Sequence, residues 1–284
     1  MPVDFIKARL LDIEIPKLLV NKHFRQTREI YKDNNYGECS KVILQYKNLT
    51  ITIYKYKVAI LTGSLHYFFN DGKHNYNNFT FTNLISTLEE IANLLDIHLH
   101  QLKLQNIEFG FNIKLPYKVS NITDNLLINN KKTFLKPYDF DYRKAMHQRY
   151  WVKVYNKGNQ FELSENLLRV EIKHIKMIDL NRLGLYNCLD LTNRALHNRL
   201  LDNLLEKWNN TLLYDFTINK TQLTPQQFKK SLEYQNPNYW LNLTPQQRTR
   251  QKKTLQNLSI EFGANTHQQI KDLIQNQFNI IIDL

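Results

Sequence analysis

The sequence predicts an α+β fold: a central, mostly antiparallel sheet with helices on one face, then a helical C-terminal region. Three observations carry this reading. At least three segments alternate apolar and polar residues at a period of two, which requires one covered and one polar face. A single segment among them, "FTNLISTLEEIANLLDI", places Leu84, Ile85, Leu88, Ile91, Ala92 and Leu95 at helical spacing. Beyond Asp179 the period becomes helical. At 284 residues and 42% hydrophobic, the chain can bury a sizeable core. The expected division is a sheet domain over residues 1–178 and a helical region over 179–284, the latter a DNA-binding or dimerisation module or else the completion of the core.

The elements follow in order. From Lys41 to Leu65, "KVILQYKNLTITIYKYKVAILTGSL" alternates β-branched and aromatic residues with polar ones, with breaks expected near Lys47-Asn48 and near Gly63. An antiparallel meander is predicted, and the Leu84 to Leu95 helix should cover it. "QNIEFGFNIKL" sets Ile107, Phe109, Phe111 and Ile113 against Glu108, Gly110, Asn112 and Lys114, a strand with one polar face that ends before Pro116. The segment from Ser120 to Gln148 is polar and irregular and reads as a loop or a mobile arm. In "YWVKVYNKGNQ", Trp151, Lys153, Tyr155 and Lys157 point one way and Val152, Val154 and Asn156 the other. A turn through Gly158 to Ser164 leads to "NLLRVEIKHIK", where Leu168, Val170 and Ile172 alternate with Arg169, Glu171 and Lys173. The two strands read as a hairpin; with Val154 opposite Val170, Tyr155 faces Arg169 and Lys153 faces Glu171.

The rest reads as helices. Leu196, Leu200, Leu204 and Trp208 lie four apart, and no further strand is expected. "LTPQQFKKSL" from Leu223 is echoed by "LTPQQRTRQKKTL" from Leu243. In each, Thr224 or Thr244 suits an N-cap, Pro225 or Pro245 the first helical position, and Gln227 or Gln247 closes a capping box. The basic residues here are Lys229, Lys230, Arg248, Arg250, Lys252 and Lys253, either along phosphates or on a solvated face.

Composition narrows the function classes. There are 38 Lys+Arg and 26 Asp+Glu, a net charge of +12 spread along the chain. Such a field favours a polyanion, either nucleic acid or an anionic surface, with plain solubility as the alternative. No apolar run approaches the roughly 18 residues that span a bilayer, and the N-terminus is broken by charges and Pro16, so no membrane partner and a cytoplasmic location are expected. Cys39 and Cys188 lack partners at zinc spacing, and seven glycines make neither a P-loop nor a dinucleotide fingerprint.

A tyrosine among cations has a chemical use. Positive charge favours the phenolate, and Lys153, Lys157 and Arg169 are placed to supply it around Tyr155. Attack on a phosphodiester would conserve the bond energy in a phosphotyrosyl link. Mg²⁺ or Mn²⁺ takes carboxylate oxygens, and Glu108 and Glu171 lie on polar strand faces. The bland counterpart is a cross-strand Lys153–Glu171 pair on an exposed sheet and Glu108 as a surface residue. A competing metal pair is His98 and His100 in "DIHLHQL", which would share a face on a strand but not in the turn after the helix. His66 and His74 suit DNA or core contacts better than metal.

At these residues the sequence resembles a known family. "WVKVYNKGNQ" followed by "LLRVEIKHIK" is similar to the paired signature of rolling-circle replication initiators, the Rep_trans group of plasmids and the filamentous-phage initiators: an apolar strand ending in Tyr-x-Lys, then Arg-x-Glu. "NIEFGFNI" resembles the family's acidic strand, although that strand often has Asp at Glu108 and Ala at Gly110. "LTGSLHYFFNDGKHNYNNFTF" resembles the phage-like Gly-Ser-Leu-His segment. The resemblance covers about Leu61 to Met177. It implies Tyr155 as the nicking nucleophile of an origin endonuclease, assisted by Lys157, with Glu108 and Glu171 holding Mg²⁺ or Mn²⁺. Lys157 and Arg169 would contact phosphate. Lys153, Lys173, Arg248, Arg250, Lys252 and Lys253 complete the expected DNA contacts. The implied partners are single-stranded or cruciform origin DNA with its flanking duplex, a host helicase and a second copy of the chain, in a bacterial cell carrying a plasmid, phage or other mobile element. The alternative class is a non-catalytic, sequence-specific DNA-binding protein, such as an iteron-type initiator or a repressor.

Overall fold

Alternating sequence becomes sheet in the computed structural model, which describes residues 3–31, 39–137 and 141–283. The chain opens with β1 (Val3–Leu10) and α1 (Ile15–Leu19), the latter with Pro16 in its first turn, where a missing N–H costs nothing. The meander follows: β2 (Arg25–Tyr31), β3 (Cys39–Tyr46), β4 (Leu49–Tyr54) and β5 (Val58–Ser64). Then come α2 (Leu65–Phe69), α3 (Phe81–Leu95) and the long β6 (Leu102–Lys114). Next are α4 (Ser120–Thr123), β7 (Leu126–Asn129), β8 (Lys132–Thr133), β9 (Tyr142–Met146), β10 (Tyr150–Asn156), α5 (Lys157–Gln160) and β11 (Leu167–His174). The chain continues through α6 (Ile178–Asn181), α7 (Arg194–Asn209), β12 (Thr211–Leu213), α8 (Pro225–Tyr234), α9 (Pro237–Asn242), α10 (Pro245–Phe262) and α11 (Thr266–Asp283). Among the described residues, nine strands form one sheet in the order β2-β3-β4-β5-β1-β6-β11-β10-β9, and β12-β7-β8 form a second. With its helical C-terminal region, this is the α+β class that the sequence predicts.

Packing divides the chain into two units. The first takes residues 1–110, 173–200 and 280–284; the second takes 111–172 and 201–279. In the first, Ile6, Ala8, Leu10, Val42, Leu44, Leu49, Ile51, Ile53, Ala59 and Leu61 make the buried face of the strands. Their neighbours Lys7, Thr50 and Thr62 stand side by side on the opposite face. The α2 helix lies against β1, β5 and α3, and α3 buries Leu84, Leu88, Ile91 and Leu95. Thr80 and Asn83 close a capping box at its start, and Asp96 ends it in the left-handed region at φ 53°.

Several expectations are corrected. Gly63 does not break the meander but sits inside β5, opposite Ile6. A Cβ there would meet the Leu49 side chain at 2.6 Å and the Asn48 carbonyl oxygen at 2.9 Å, so the glycine serves the close approach of the β3–β4 turn. The actual turn is at Lys55 and Tyr56, both with positive φ. The Ser120 to Gln148 segment is not simply a loop, since it contains α4, β7, β8 and β9. All four β7 residues are buried, which removes the alternation that marks a one-sided strand. Nor are the strands over by Asp179: β12 pairs with β7, with Thr211 opposite Asn129.

In the second unit the core gathers Leu127 and Ile128 of β7, Leu212 and Tyr214, Tyr234 of α8, Trp240 of α9, and Leu255 and Leu258 of α10. The two echoed helices begin as their sequence requires, with Thr224–Gln227 and Thr244–Gln247 capping boxes and proline in the first turn. Their helices therefore help to bury β7.

Candidate functional site

The strand β10 pairs with β9, placing Tyr155 beside Tyr142, Lys153 beside Lys144 and Trp151 beside Met146. These six side chains share one face, because partners directly opposite in an antiparallel ladder point the same way. Val152 and Ala145 pair on the other face and are buried. The result is an aromatic and basic surface: the Tyr142 and Tyr155 ring centroids lie 5.3 Å apart, and the Lys144 ammonium stands 4.7 Å above the Trp151 ring.

Beneath this face, Glu171 of β11 collects three donors. The Lys153 ammonium donates to Oε1 at 2.7 Å, Arg169 Nε donates to Oε2 at 2.6 Å, and the Tyr155 hydroxyl lies 3.4 Å from the same oxygen. Arg169 also donates through Nη1 to Asn112 Oδ1 at 3.0 Å. Glu171 and Arg169 are 2% and 1% exposed. Burial alone would raise the Glu171 pKa, but the Lys153 and Arg169 charges prevail and hold the carboxyl well below its usual range. Glu171 is thus ionised and a weak base. Any activation of the phenol falls to the surrounding cations.

Lys157 departs from its expected place. The strand ends at Asn156, whose side chain accepts from the Asn159 amide, so Lys157 opens a short helical turn instead of extending β10. The turn is tight: a Cβ on Gly158 would stand 2.3 Å from the Glu165 carbonyl oxygen. This rolls Lys157 inward, 1% exposed, with Nζ donating to Gln160 at 3.0 Å and lying 5.6 Å from the Tyr155 ring centroid. A cleft of about 610 Å³ opens beside Tyr155, lined also by Tyr142, Lys153 and three carboxylates, those of Asp141, Glu162 and Glu171.

Glu108 of the first unit sits opposite Phe5 in the β1–β6 ladder. The Lys173 ammonium bonds to its Oε1 at 2.5 Å and lies 5.0 Å from the Phe5 ring. As acceptors, Glu108 and Glu171 are the hard oxygens that Mg²⁺ and Mn²⁺ take. As arranged, however, both Glu171 oxygens and one Glu108 oxygen are committed to cations, so they do not fit an ion without opening those pairs. Among the described residues no three His, Cys, Asp or Glu side chains gather as a metal group. His98 and His100 are not on a strand: α3 stops at Asp96, and His98 caps the short 3₁₀ turn Leu99–Gln101. Their exposed rings stack at 5.5 Å. His66 is a core residue, bonded to Asn77 and stacked on Phe79, and His74 stacks on Tyr76.

The C-terminal cations divide into two kinds. Arg250 and Lys253 are exposed on α10. Arg248 donates to the Trp240 and Leu243 carbonyls, and Lys252 to the Asn209 carbonyl. On α8, Lys229 is exposed and Lys230 pairs with Glu233.

No protein-family model matches the chain, and a comparison with curated proteins finds no match. Among the described residues no helix is long and apolar enough to cross a membrane. Sequence reasoning missed Tyr142 and Lys144, which double the aromatic–basic face. Their five-residue alternation, "YRKAM", was present but too short to stand out from polar surroundings.

Proposed function

We propose that the chain nicks and rejoins single-stranded DNA through Tyr155. The observation that carries this is a tyrosine lining a cleft, on a strand face of alternating rings and cations, with Lys153, Arg169 and Lys157 gathered around it. Stacking rings and a basic groove are what an unpaired strand needs. In the reaction, Tyr155 Oη bonds to the phosphorus, the P–O3′ bond breaks, and the 3′ oxygen takes a proton to leave as a hydroxyl. The phenolic proton passes to water. The 5′ phosphate stays on the tyrosine, and attack by the 3′ hydroxyl reverses the step. Lys153, Arg169 and Lys157 would supply the positive charge that stabilises the phenolate and the charge developing on phosphate. On this reading the partners are origin DNA, single-stranded or cruciform, a host helicase and a second copy, inside a bacterial cell.

The test is denaturing electrophoresis after incubation with labelled single-stranded oligonucleotides, in Mg²⁺, Mn²⁺ or EDTA. A covalent adduct is expected, and Tyr155→Phe should lack it; adduct in that variant moves the nucleophile elsewhere. Comparison of the three media measures what Mg²⁺ or Mn²⁺ adds, and adduct in EDTA assigns the chemistry to side chains alone.

A second reading, a non-catalytic DNA-binding protein, is favoured by the internal neutralisation of Glu171. It expects Glu108→Gln and Glu171→Gln to leave DNA affinity unchanged, with no cleavage in any medium.

A further inference from the structure

The second unit carries another concave surface, which shares no lining residue with the Tyr155 cleft. It has a volume of about 640 Å³ and lies among the β7–β8 turn, His147 and the start of α10. Lys131, Lys132, Arg248 and Lys252 line it, and none of its lining residues is acidic. Two of the cations are held in place from behind: Arg248 by the Trp240 and Leu243 carbonyls at 2.9 and 2.8 Å, and Lys252 by the Asn209 carbonyl. Lys131 is exposed in the β7–β8 turn and Lys132 at the start of β8. His147 stacks on Tyr150 at 4.5 Å and meets Asn129 Oδ1 at 2.8 Å.

The electrostatics differ from those around Tyr155. There Glu171 neutralises two cations. Here, among the described residues, no carboxylate lies within ion-pair distance of Lys131, Lys132, Arg248 or Lys252. The field shows on its neighbours. Burial lowers the His147 pKa, and Lys132 and Lys207 lower it further; burial lowers that of Lys252. Gathering cations without counter-charge costs free energy that a bound anion offsets.

We propose that this cleft binds the phosphodiester backbone of a nucleic-acid strand as a second contact, separate from the Tyr155 face. The proposal rests on the reading that the chain acts on DNA. It adds where the strand is gripped: the Arg248 guanidinium, fixed by the carbonyls that take its Nε and Nη2 donors, keeps its remaining N–H groups for phosphate, and Lys131 and Lys132 line the same cleft. The volume accommodates a nucleotide unit.

The test is fluorescence anisotropy of the full chain with a labelled single strand and with a labelled duplex, each over a salt series. Lys131→Gln combined with Lys132→Gln removes two exposed charges without touching the core. The log-log salt slope should flatten by about 1.4 for the single strand or about 1.8 for the duplex, and the larger response identifies the form bound. Lys252→Gln should flatten it by one further contact. Unchanged slopes in both variants overturn the proposal, as does an unmodified chain that binds neither DNA or that binds polyglutamate as tightly. Tyr155→Phe should keep the full slope while losing the adduct. An adduct in Tyr155→Phe would defeat the nicking reading alone, and a flattened slope would then still support the cleft.

Discussion

Changing Glu171 to Gln would remove one negative charge from between two cations that lie within 2.7 Å of it. Lys153 and Arg169 would then be left facing each other in a buried place, a change that costs about 3 kcal/mol. The pH dependence follows from the depressed carboxyl. Its contribution is complete above the unfolded value of about 4.3 and is lost as the pH falls through the lower folded value. Urea unfolding should therefore separate wild type from Glu171→Gln widely at pH 7 and bring them together in strong acid. Equal stability at pH 7 would refute the strain. At this scale the sequence showed part of the site: alternation put Lys153 and Tyr155 on one face, and the expected Lys153–Glu171 pair is present as an ion pair. It did not show that Arg169 is buried, because alternation reports which face a side chain takes and not what lies over it.

Short elements carry most of the positioning. The turn after β10 seats Lys157, and its backbone approaches Glu165 so closely that Gly158→Ala should cost about 1–3 kcal/mol by overpacking. The same change should reduce adduct formation by moving Lys157, whereas Thr244→Ala at the cap of α10 should cost about 1 kcal/mol and leave the adduct intact. Thermal melts with the electrophoretic assay distinguish these outcomes. The capping boxes were legible because a cap is local chemistry, four residues deep. The strands β7, β8, β9 and β12 were not, since they run to five residues at most and β7 and β12 are buried throughout. Only partners distant in the chain make such segments strands.

The whole molecule explains why residue 179 is a poor place to cut. Leu127 and Ile128 share a core with Leu212, Tyr214, Tyr234, Trp240, Leu255 and Leu258, so truncation after Asp179 uncovers β7. The truncated chain should aggregate or bind hydrophobic dye strongly, and a monomeric, cooperatively melting fragment would contradict this. The sequence indicated the sheet and the helices correctly as classes, yet it could not show that the late helices complete an early strand, because periodicity carries no information about pairing across a hundred residues. That pairing also sets a timetable. On the ribosome, Ile128 leaves about 130 residues before Leu258, and at about 5–20 residues per second its partners arrive roughly 6 to 26 s later. For that interval an apolar strand waits in the nascent chain, so chaperone supply during synthesis should govern how much of the protein a cell recovers.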